Sequence, residues 1–293
     1  MKNISIIISL LLLLFSVVSC QDNSKLFKNL LLFKNYDGEI ILGNPNIGSN
    51  GFDDGILIYT PKTNNYLYVA KGEGYRDVCF SENKDKILGL NGDVSIIEYD
   101  LKTKTNIIVF KGNDEEGSYF NVKYVPKTDC ISFISSDKLF ILNRKTKEKE
   151  FITQAWGDYS WSKNGDKLFY SIGGKSGIYC FDTKSKKTTL VINEGFSPQL
   201  SSSNKYIAFE IQHGKVLIIK DIKTGKEWKY IPPIKTYYYK FSPDDKQLVI
   251  HELMPKNLQY NDISLVGWSY KTNEEVRVIK GIFDGCIGNF DWR

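Results

Sequence analysis

The stretch Phe241-Ser242-Pro243-Asp244-Asp245-Lys246-Gln247-Leu248 is typical of a tight polar turn that joins two β-strands. An aromatic residue ends the first strand, and the second begins at Leu248; in another copy of the pattern, apolar residues alternate along the second strand, at Leu168, Tyr170 and Ile172. The pattern recurs at residues 80–87 and 161–168, and more weakly at residues 124–127 and 200–203. A short motif that returns at similar intervals predicts a chain built from internal repeats.

A second turn motif, built on Lys-Thr or Lys-Ser, occurs six times. Its lysines are Lys62, Lys102, Lys145, Lys184, Lys223 and Lys271, with spacings of 40, 43, 39, 39 and 48 residues. An Asp or Asn that opens such a turn accepts hydrogen bonds from backbone two residues on, and a later Gly or Asn tolerates positive φ. Each copy is therefore expected to close a β-hairpin. Four short strands in about 40 residues, with no sustained helical periodicity, predict a β-propeller blade.

The two turns together resemble the TolB-like propeller repeats of exported bacterial proteins. The resemblance covers residues 29–293. It implies an all-β fold, a six-bladed β-propeller of four-stranded blades. Propellers of this kind serve as protein-binding modules, glycan-processing enzymes and peptidase appendages, so the resemblance is more specific for fold than for function.

The ring has two possible closures, because six hairpin turns accompany seven candidates for an innermost strand. Phe33 near the start and Trp292 near the end both fit the first blade. We expect the C-terminal strand to insert into that blade, since a ring whose two ends pair leaves no open sheet edge. Phe33 remains the alternative.

The first residues resemble the export signal of bacterial lipoproteins. Residues 4–19 are an apolar run, shorter than the ~20 residues of a membrane-spanning helix, and Cys20 with a polar stretch follows. We expect a signal peptide at residues 1–19, a lipidated Cys20 with a short tether at residues 20–28, and the propeller at residues 29–293. The protein would then be anchored to a membrane of the cell envelope, inner or outer. An ordinary secretion signal is the alternative.

Composition disfavours several classes of function. The net charge is only +5 and there are four Arg, which argues against nucleic acid as a partner. His213 and His251 are the only histidines, so metal and acid–base sites have few ligands. We therefore predict no catalytic residue, metal or cofactor, and a monomer. The four cysteines that follow Cys20 are interpreted as small apolar residues, with pairing left open: Cys79, Cys130, Cys180 and Cys286.

Candidate binding residues lie in loops at one face of the ring, here termed the funnel face. In a propeller, the loops between blades and those between second and third strands share this face. The residues predicted to bind a ligand are Tyr75, Arg76, Tyr119, Trp156, Asp158, Tyr159, Phe196, Tyr238 and Tyr260. Aromatic side chains mixed with charges suit a protein interface or sugar stacking.

These observations predict a lipid-anchored envelope propeller that binds a protein partner or an envelope glycan without catalysis. Two alternatives remain at this point. One is a polysaccharide lyase or hydrolase that acts through funnel carboxylates, with His213 and His251 as further candidates. The other is a purely structural scaffold of the envelope.

Overall fold

The computed structural model describes residues 38–43, 55–63, 65–70, 74–91, 95–112, 118–253, 263–278 and 290–293. In these ranges the chain forms 24 β-strands and one short 3-10 turn at Pro61–Thr63. No helix there is long and apolar enough to cross a membrane. The export signal, Cys20 and the boundaries at residues 19 and 28 lie outside the described residues and stay predictions.

The strands form six antiparallel sheets of four strands each, and these sheets are the predicted blades. The first three blades contain β24 (Asp291–Trp292), β1 (Ile40–Gly43), β2 (Ile56–Thr60) and β3 (Asn65–Val69); β4 (Tyr75–Phe80), β5 (Lys86–Asn91), β6 (Ser95–Asp100) and β7 (Thr105–Lys111); and β8 (Tyr119–Tyr124), β9 (Cys130–Ser135), β10 (Lys138–Asn143) and β11 (Lys149–Gln154). The last three contain β12 (Trp156–Trp161), β13 (Lys167–Ile172), β14 (Lys175–Asp182) and β15 (Lys187–Ile192); β16 (Phe196–Leu200), β17 (Tyr206–Ile211), β18 (Val216–Asp221) and β19 (Glu227–Tyr230); and β20 (Lys235–Phe241), β21 (Leu248–Leu253), β22 (Ile263–Ser269) and β23 (Glu274–Val278). In each blade the first strand named is the innermost.

The C-terminal strand closes the ring in the first blade, as predicted. Ile40 lies opposite Trp292 in the antiparallel pair of β1 and β24. The backbone N–H of Arg293 donates to the Glu39 carbonyl at 2.8 Å. Trp292 therefore supplies the innermost strand of the first blade, and Phe33 lies outside the described residues.

The Ser of the first turn motif fixes the turn because its hydroxyl bonds in two directions. Ser81 Oγ donates to Asp85 Oδ1 at 2.8 Å and accepts from the Lys86 N–H at 3.0 Å. The fourth blade repeats this arrangement at Ser162, where Gly165 has a φ of 71°. Glycine adopts this conformation without the strain that a Cβ atom would add. These turns form one face of the ring, termed the turn face.

The Lys-Thr hairpins are closed by their opening Asp or Asn, as the motif predicted. Asp100 Oδ1 accepts from the N–H groups of Lys102 and Thr103 at 2.9 and 2.8 Å. Asp221 accepts in the same way from Lys223 and Thr224 at 3.0 and 2.9 Å. The repeated Asp and Asn thus satisfy backbone groups that a hairpin turn would otherwise leave unpaired.

The hydrophobic core is divided among the contacts between successive blades. One cluster joins Ile41 and Ile56 of the first blade to Tyr75 and Ile87 of the second, and further clusters join the blades up to the sixth. Blades therefore bury their apolar faces against one another, as repeat architectures do. Three cysteines in the described residues are free thiols: Cys79, Cys130 and Cys180. Cys286 lies outside them.

Candidate functional site

Most innermost strands carry a β-bulge near the funnel face. The strand register shifts in β4, β8, β12, β16 and β20. Bulges re-aim side chains, and here they connect neighbouring strands that have no β-ladder between them. The Asn121 N–H donates to Asp77 Oδ2 at 3.0 Å, and the Tyr239 hydroxyl donates to the Ser197 carbonyl at 2.6 Å.

Every blade contributes one side chain to a ring inside the central channel. These side chains belong to Cys79, Lys123, Ser160, Gln199, Lys240 and Asp291, and they line a single cavity. Each stands directly before the large residue that opens the first turn motif. We refer to these six residues as the channel ring.

The charged centre of the channel is Asp158, which two lysines of the channel ring contact. Lys123 Nζ donates to Asp158 Oδ1, and Lys240 Nζ lies 3.7 Å from Oδ2. Gln199 Nε2 donates to the same Oδ2 at 2.7 Å. All four side chains are largely buried, with 6% of Asp158, 13% of Lys123 and 14% of Lys240 exposed. The cluster thus joins strands of the third, fourth, fifth and sixth blades.

Burial and charge act against each other in this cluster. Burial alone raises the pKa of Asp158, but the charges of Lys123 and Lys240 outweigh it and hold that pKa below its usual range. Burial lowers the pKa of Lys123 to about 8, and although Asp158 opposes this shift, Lys240 adds to it. Burial also raises the pKa of the Cys79 thiol to about 12, so this thiol stays protonated at neutral pH.

Three of the predicted ligand contacts are buried between blades. Tyr75 is 1% exposed, and Tyr119 and Tyr159 are fully buried. The Tyr159 hydroxyl donates to the Asn121 carbonyl at 2.7 Å, which ties the fourth blade to the third. These tyrosines pack the ring in this structure, and contact with a ligand stays a prediction for them.

Two predicted residues, Trp156 and Phe196, belong to an aromatic strip that crosses three blades of the funnel face and also contains His213 and Tyr237, which were not among the predicted ligand contacts. Trp156, 43% exposed, contacts Phe196 edge-on with ring centroids 5.7 Å apart. Phe196 stacks on His213 at 6.1 Å. The next residue, Gly214, accepts a hydrogen bond from the Thr236 N–H at 2.8 Å, and the 38%-exposed Tyr237 follows Thr236. We name Trp156, Phe196, His213 and Tyr237 the funnel strip.

The remaining predicted residues are not members of this strip, although Tyr238 adjoins it because Tyr237 also contacts His251, at 5.9 Å. Tyr238 is partly exposed and stacks on His251 at 6.0 Å. Burial lowers the pKa of His251 to about 4, so its ring is neutral at pH 7. Arg76 is partly exposed at the start of β4. Asp158 lies in the channel, and Tyr260 is outside the described residues.

Metal ligands do not cluster in the ranges that the structure describes. No group of three or more His, Cys, Asp or Glu side chains is placed there to hold an ion. The absence of a cofactor stays a prediction.

Sequence reasoning missed the channel ring, apart from the neighbouring Asp158. Only Lys123 and Lys240 among its members share a residue type, so no repeated residue type marks the ring in the sequence. The signal that identifies them is positional, because each precedes the large residue of the first turn motif. In a strand with period two, that position points away from the residues that pack between blades.

Glu210 is a buried carboxyl group beneath the funnel strip, and it makes stability depend on pH. Burial raises its pKa to about 7, although the Ser197 hydroxyl, which donates to Oε1 at 3.2 Å, and Lys235 oppose the shift. The unfolded state ionises at its ordinary pKa near 4.5, while the folded state keeps the proton up to about 7. The fold therefore loses stability as pH rises between these values, by roughly 3 kcal/mol.

We expect Glu210→Gln to remove this loss. Urea denaturation at pH 5 and pH 8 measures it as the difference between wild type and variant at each pH. Glu194→Gln is the control, since Glu194 is exposed on the same face. If Glu210→Gln and Glu194→Gln show the same dependence on pH, the buried carboxyl group has no such role.

Comparison with known proteins finds matches only at the level of structure. No protein-family model and no curated protein sequence matches the chain. TolB from Acinetobacter baumannii superimposes with a TM-score of 0.68 at 18% identity, over 87% of this chain and 66% of that chain. The chain has a TolB-like fold. It spans slightly less than two thirds of the TolB chain.

Two other solved structures are similar at lower identity. One is described as a nidogen/laminin complex, with a TM-score of 0.65 and 8% identity over 86% of this chain and 97% of that chain. The other is oligogalacturonate lyase in complex with manganese, with a TM-score of 0.53 and 12% identity over 82% and 78%. Identities this low show the fold alone, so the predicted TolB-like propeller is confirmed as a fold.

Proposed function

We propose that this propeller binds a partner protein on its funnel face, without catalysis, while a lipid on Cys20 anchors it in the bacterial cell envelope. The observation that carries the proposal is the funnel strip, which crosses three blades through ring contacts and one backbone hydrogen bond. Rigid blades that present aromatic side chains suit an interface, where Trp and Tyr act as anchors.

An exposed apolar loop beside the strip favours a protein partner. Ile231 is 77% exposed and Ile234 is 37% exposed in the segment that leads to Tyr237. Large apolar side chains concentrated next to aromatic rings are typical of protein interfaces. Three basic side chains lie around this surface: Lys175, Lys215 and Lys235. We therefore expect the partner to present acidic groups.

The similar structures are compatible with this proposal. The nidogen propeller is described in complex with laminin, a protein partner. A propeller of similar fold can therefore bind a protein. The partner of the present chain would be a different protein of its own envelope.

An envelope glycan is the second candidate ligand, and Trp156 favours it. A Trp side chain with 43% of its surface exposed offers a flat apolar face on which a sugar ring can stack. Gly173 lies beside Trp156. A Cβ atom at this position would lie 3.5 Å from the Trp156 side chain, so the glycine places no side chain against the Trp there. Acidic sugars would also suit the surrounding lysines.

We expect the double substitution of Trp156 and Tyr237 by Ala to weaken partner binding about a hundredfold or more. Aromatic anchors that become buried when a complex forms contribute much of its binding energy. The acylated protein, immobilised with its lipid, is used to capture proteins and glycans from its own envelope. Affinity for each captured molecule is then measured for wild type and variant.

Phe151→Ala is the matched control, since Phe151 is 52% exposed but lies on the outermost strand of the third blade. Equal capture by wild type and the double variant would contradict the proposal. Cleavage of a captured glycan would favour the lyase or hydrolase alternative, and capture of nothing would favour the scaffold.

A further inference from the structure

The central channel holds a cavity that opens on the turn face, opposite the funnel strip. Its volume is about 510 Å³, within the range of sites that enclose small organic ligands. All six residues of the channel ring line it, and its mouth is formed by residues of the first turns, among them Glu82, Pro126 and Pro243. The cavity is therefore separate from the surface proposed to dock a partner.

Positive charge is in excess along this cavity. Its described lining includes four lysines, Lys84, Lys123, Lys163 and Lys240, but only Glu82 and Asp291 as acidic side chains. At the buried end, Lys123 and Lys240 share the single carboxylate of Asp158, and their other acceptors are neutral: the Tyr159 carbonyl for Lys123 and Gln199 Oε1, at 2.8 Å, for Lys240. An ammonium group that is removed from water without a full counter-charge is costly, so this end of the cavity favours an anion.

The acid of the channel ring is already engaged. The Phe80 N–H donates to Asp291 Oδ2 and the Trp292 N–H donates to Oδ1, both at 3.0 Å. Asp291 thus stabilises backbone groups of two neighbouring innermost strands. The lowered pKa of Lys123 agrees with an ammonium group that is under-compensated in its surroundings.

The walls between the amines and the mouth are mostly apolar and aromatic. They include Phe80, Trp161, Phe241 and Trp292 of four different blades, whose rings pack mainly between blades and leave 4–8% of each residue exposed. A carboxylate group alone would fill only a small part of the volume. A ligand that matches both ends has a carboxylate for the lysines and an apolar or aromatic body for the walls.

We propose that the channel cavity binds an organic carboxylate with an apolar body, its carboxylate held by Lys123 and Lys240 and its body packed among the aromatic residues of the innermost strands. Two sources share this chemistry. One is a free apolar carboxylic acid, and the other is the C-terminal carboxylate of a peptide that ends in an apolar residue.

Calorimetry with matched probes tests the proposal on the full chain. The probes are 3-phenylpropionate and N-acetyl-Ala-Phe, each compared with its uncharged amide. We expect the amides to bind about ten- to a hundredfold more weakly, since hydrogen bonds to a charged group are worth about 1.5–3 kcal/mol. Tighter binding of the acid indicates a free acid as the source, and tighter binding of the peptide indicates a peptide terminus.

Lys240→Gln is expected to weaken carboxylate binding about tenfold or more. Lys229→Gln is the control, because Lys229 is an exposed lysine on the outermost strand of the fifth blade and does not line the cavity. The proposal is wrong if neither carboxylate binds the wild-type protein at millimolar concentration, or if Lys240→Gln binds as wild type does.

A second measurement needs no variant. Acylation of lysines by an amine-reactive ester, mapped by mass spectrometry, is followed in the unsubstituted protein with and without 3-phenylpropionate. We expect the carboxylate to protect Lys123 and Lys240 severalfold but not Lys229, and the amide to protect none. Equal protection of all three lysines would overturn the proposal. Since the two sites lie on opposite faces, failure here leaves the funnel strip unaffected.

Discussion

Deletion of residues 290–293 is expected to lower the free energy of unfolding by about 6 kcal/mol or more. Phe290 is 1% exposed and Trp292 is 4% exposed, and truncation of a buried Phe or Trp costs about 3 to 5 kcal/mol. Domains have total stabilities of about 5–15 kcal/mol. We therefore expect the shortened chain to be partly or wholly unfolded at 37 °C.

The effect extends beyond lost packing because these residues close the ring. Without β24, the inner edge of β1 loses its partner, and the Phe80 N–H loses its acceptor on Asp291. An open edge also promotes association between chains. Circular dichroism melts and light scattering of the full and shortened chains measure both consequences.

Single substitutions give this prediction a matched control. Trp292→Ala is expected to cost about 3 to 5 kcal/mol, whereas Trp156→Ala, at an exposed Trp of another innermost strand, is expected to cost less than about 1 kcal/mol. The closure by β24 contributes little to stability if the shortened chain melts within a few degrees of the full chain.

The fold was largely predictable because its turns recur with the same side-chain chemistry. Ser81 and Ser162 bond their turns in the same way, and Asp100 and Asp221 close their hairpins in the same way. A repeated local requirement leaves a repeated residue type. Closure through Trp292 was predictable as well, because a ring is complete only when its first blade has an innermost strand.

The site was less predictable because the innermost strands are bulged. Tyr119 is fully buried, but Tyr237 is 38% exposed at the start of another innermost strand. A shift of one residue turns a side chain to the other face of a strand, so a loop-proximal Tyr in the sequence has no defined orientation. Lys123 and Lys240 share a channel with Asp158 only because three blades converge there.

Asp158→Asn is the second substitution for which we expect a large effect, a loss of about 3 to 5 kcal/mol in the free energy of unfolding. Asn preserves the size of the side chain but removes the charge that Lys123 and Lys240 share. Two ammonium groups would then be buried beside a neutral amide. Urea denaturation at pH 7 measures the loss.

The pH dependence separates charge from packing. The pKa of Lys123 is about 8 in the fold and 10.5 for the free side chain, so above pH 8 the folded state gives up a proton that the unfolded state keeps. Stability from this group therefore rises with pH between these values. Without Asp158 the pKa of Lys123 falls further, and we expect the variant to regain part of its lost stability between pH 7 and pH 9.

Asp129→Asn is the matched control, because Asp129 also has two basic partners, Arg144 and Lys145, but is 51% exposed. Surface ion pairs contribute about 0 to 1 kcal/mol, so this variant should resemble wild type. Equal losses at Asp129 and Asp158 would mean that burial adds nothing to the channel cluster. A large loss at Asp158 alone would show that this carboxylate holds together the blades whose lysines it contacts.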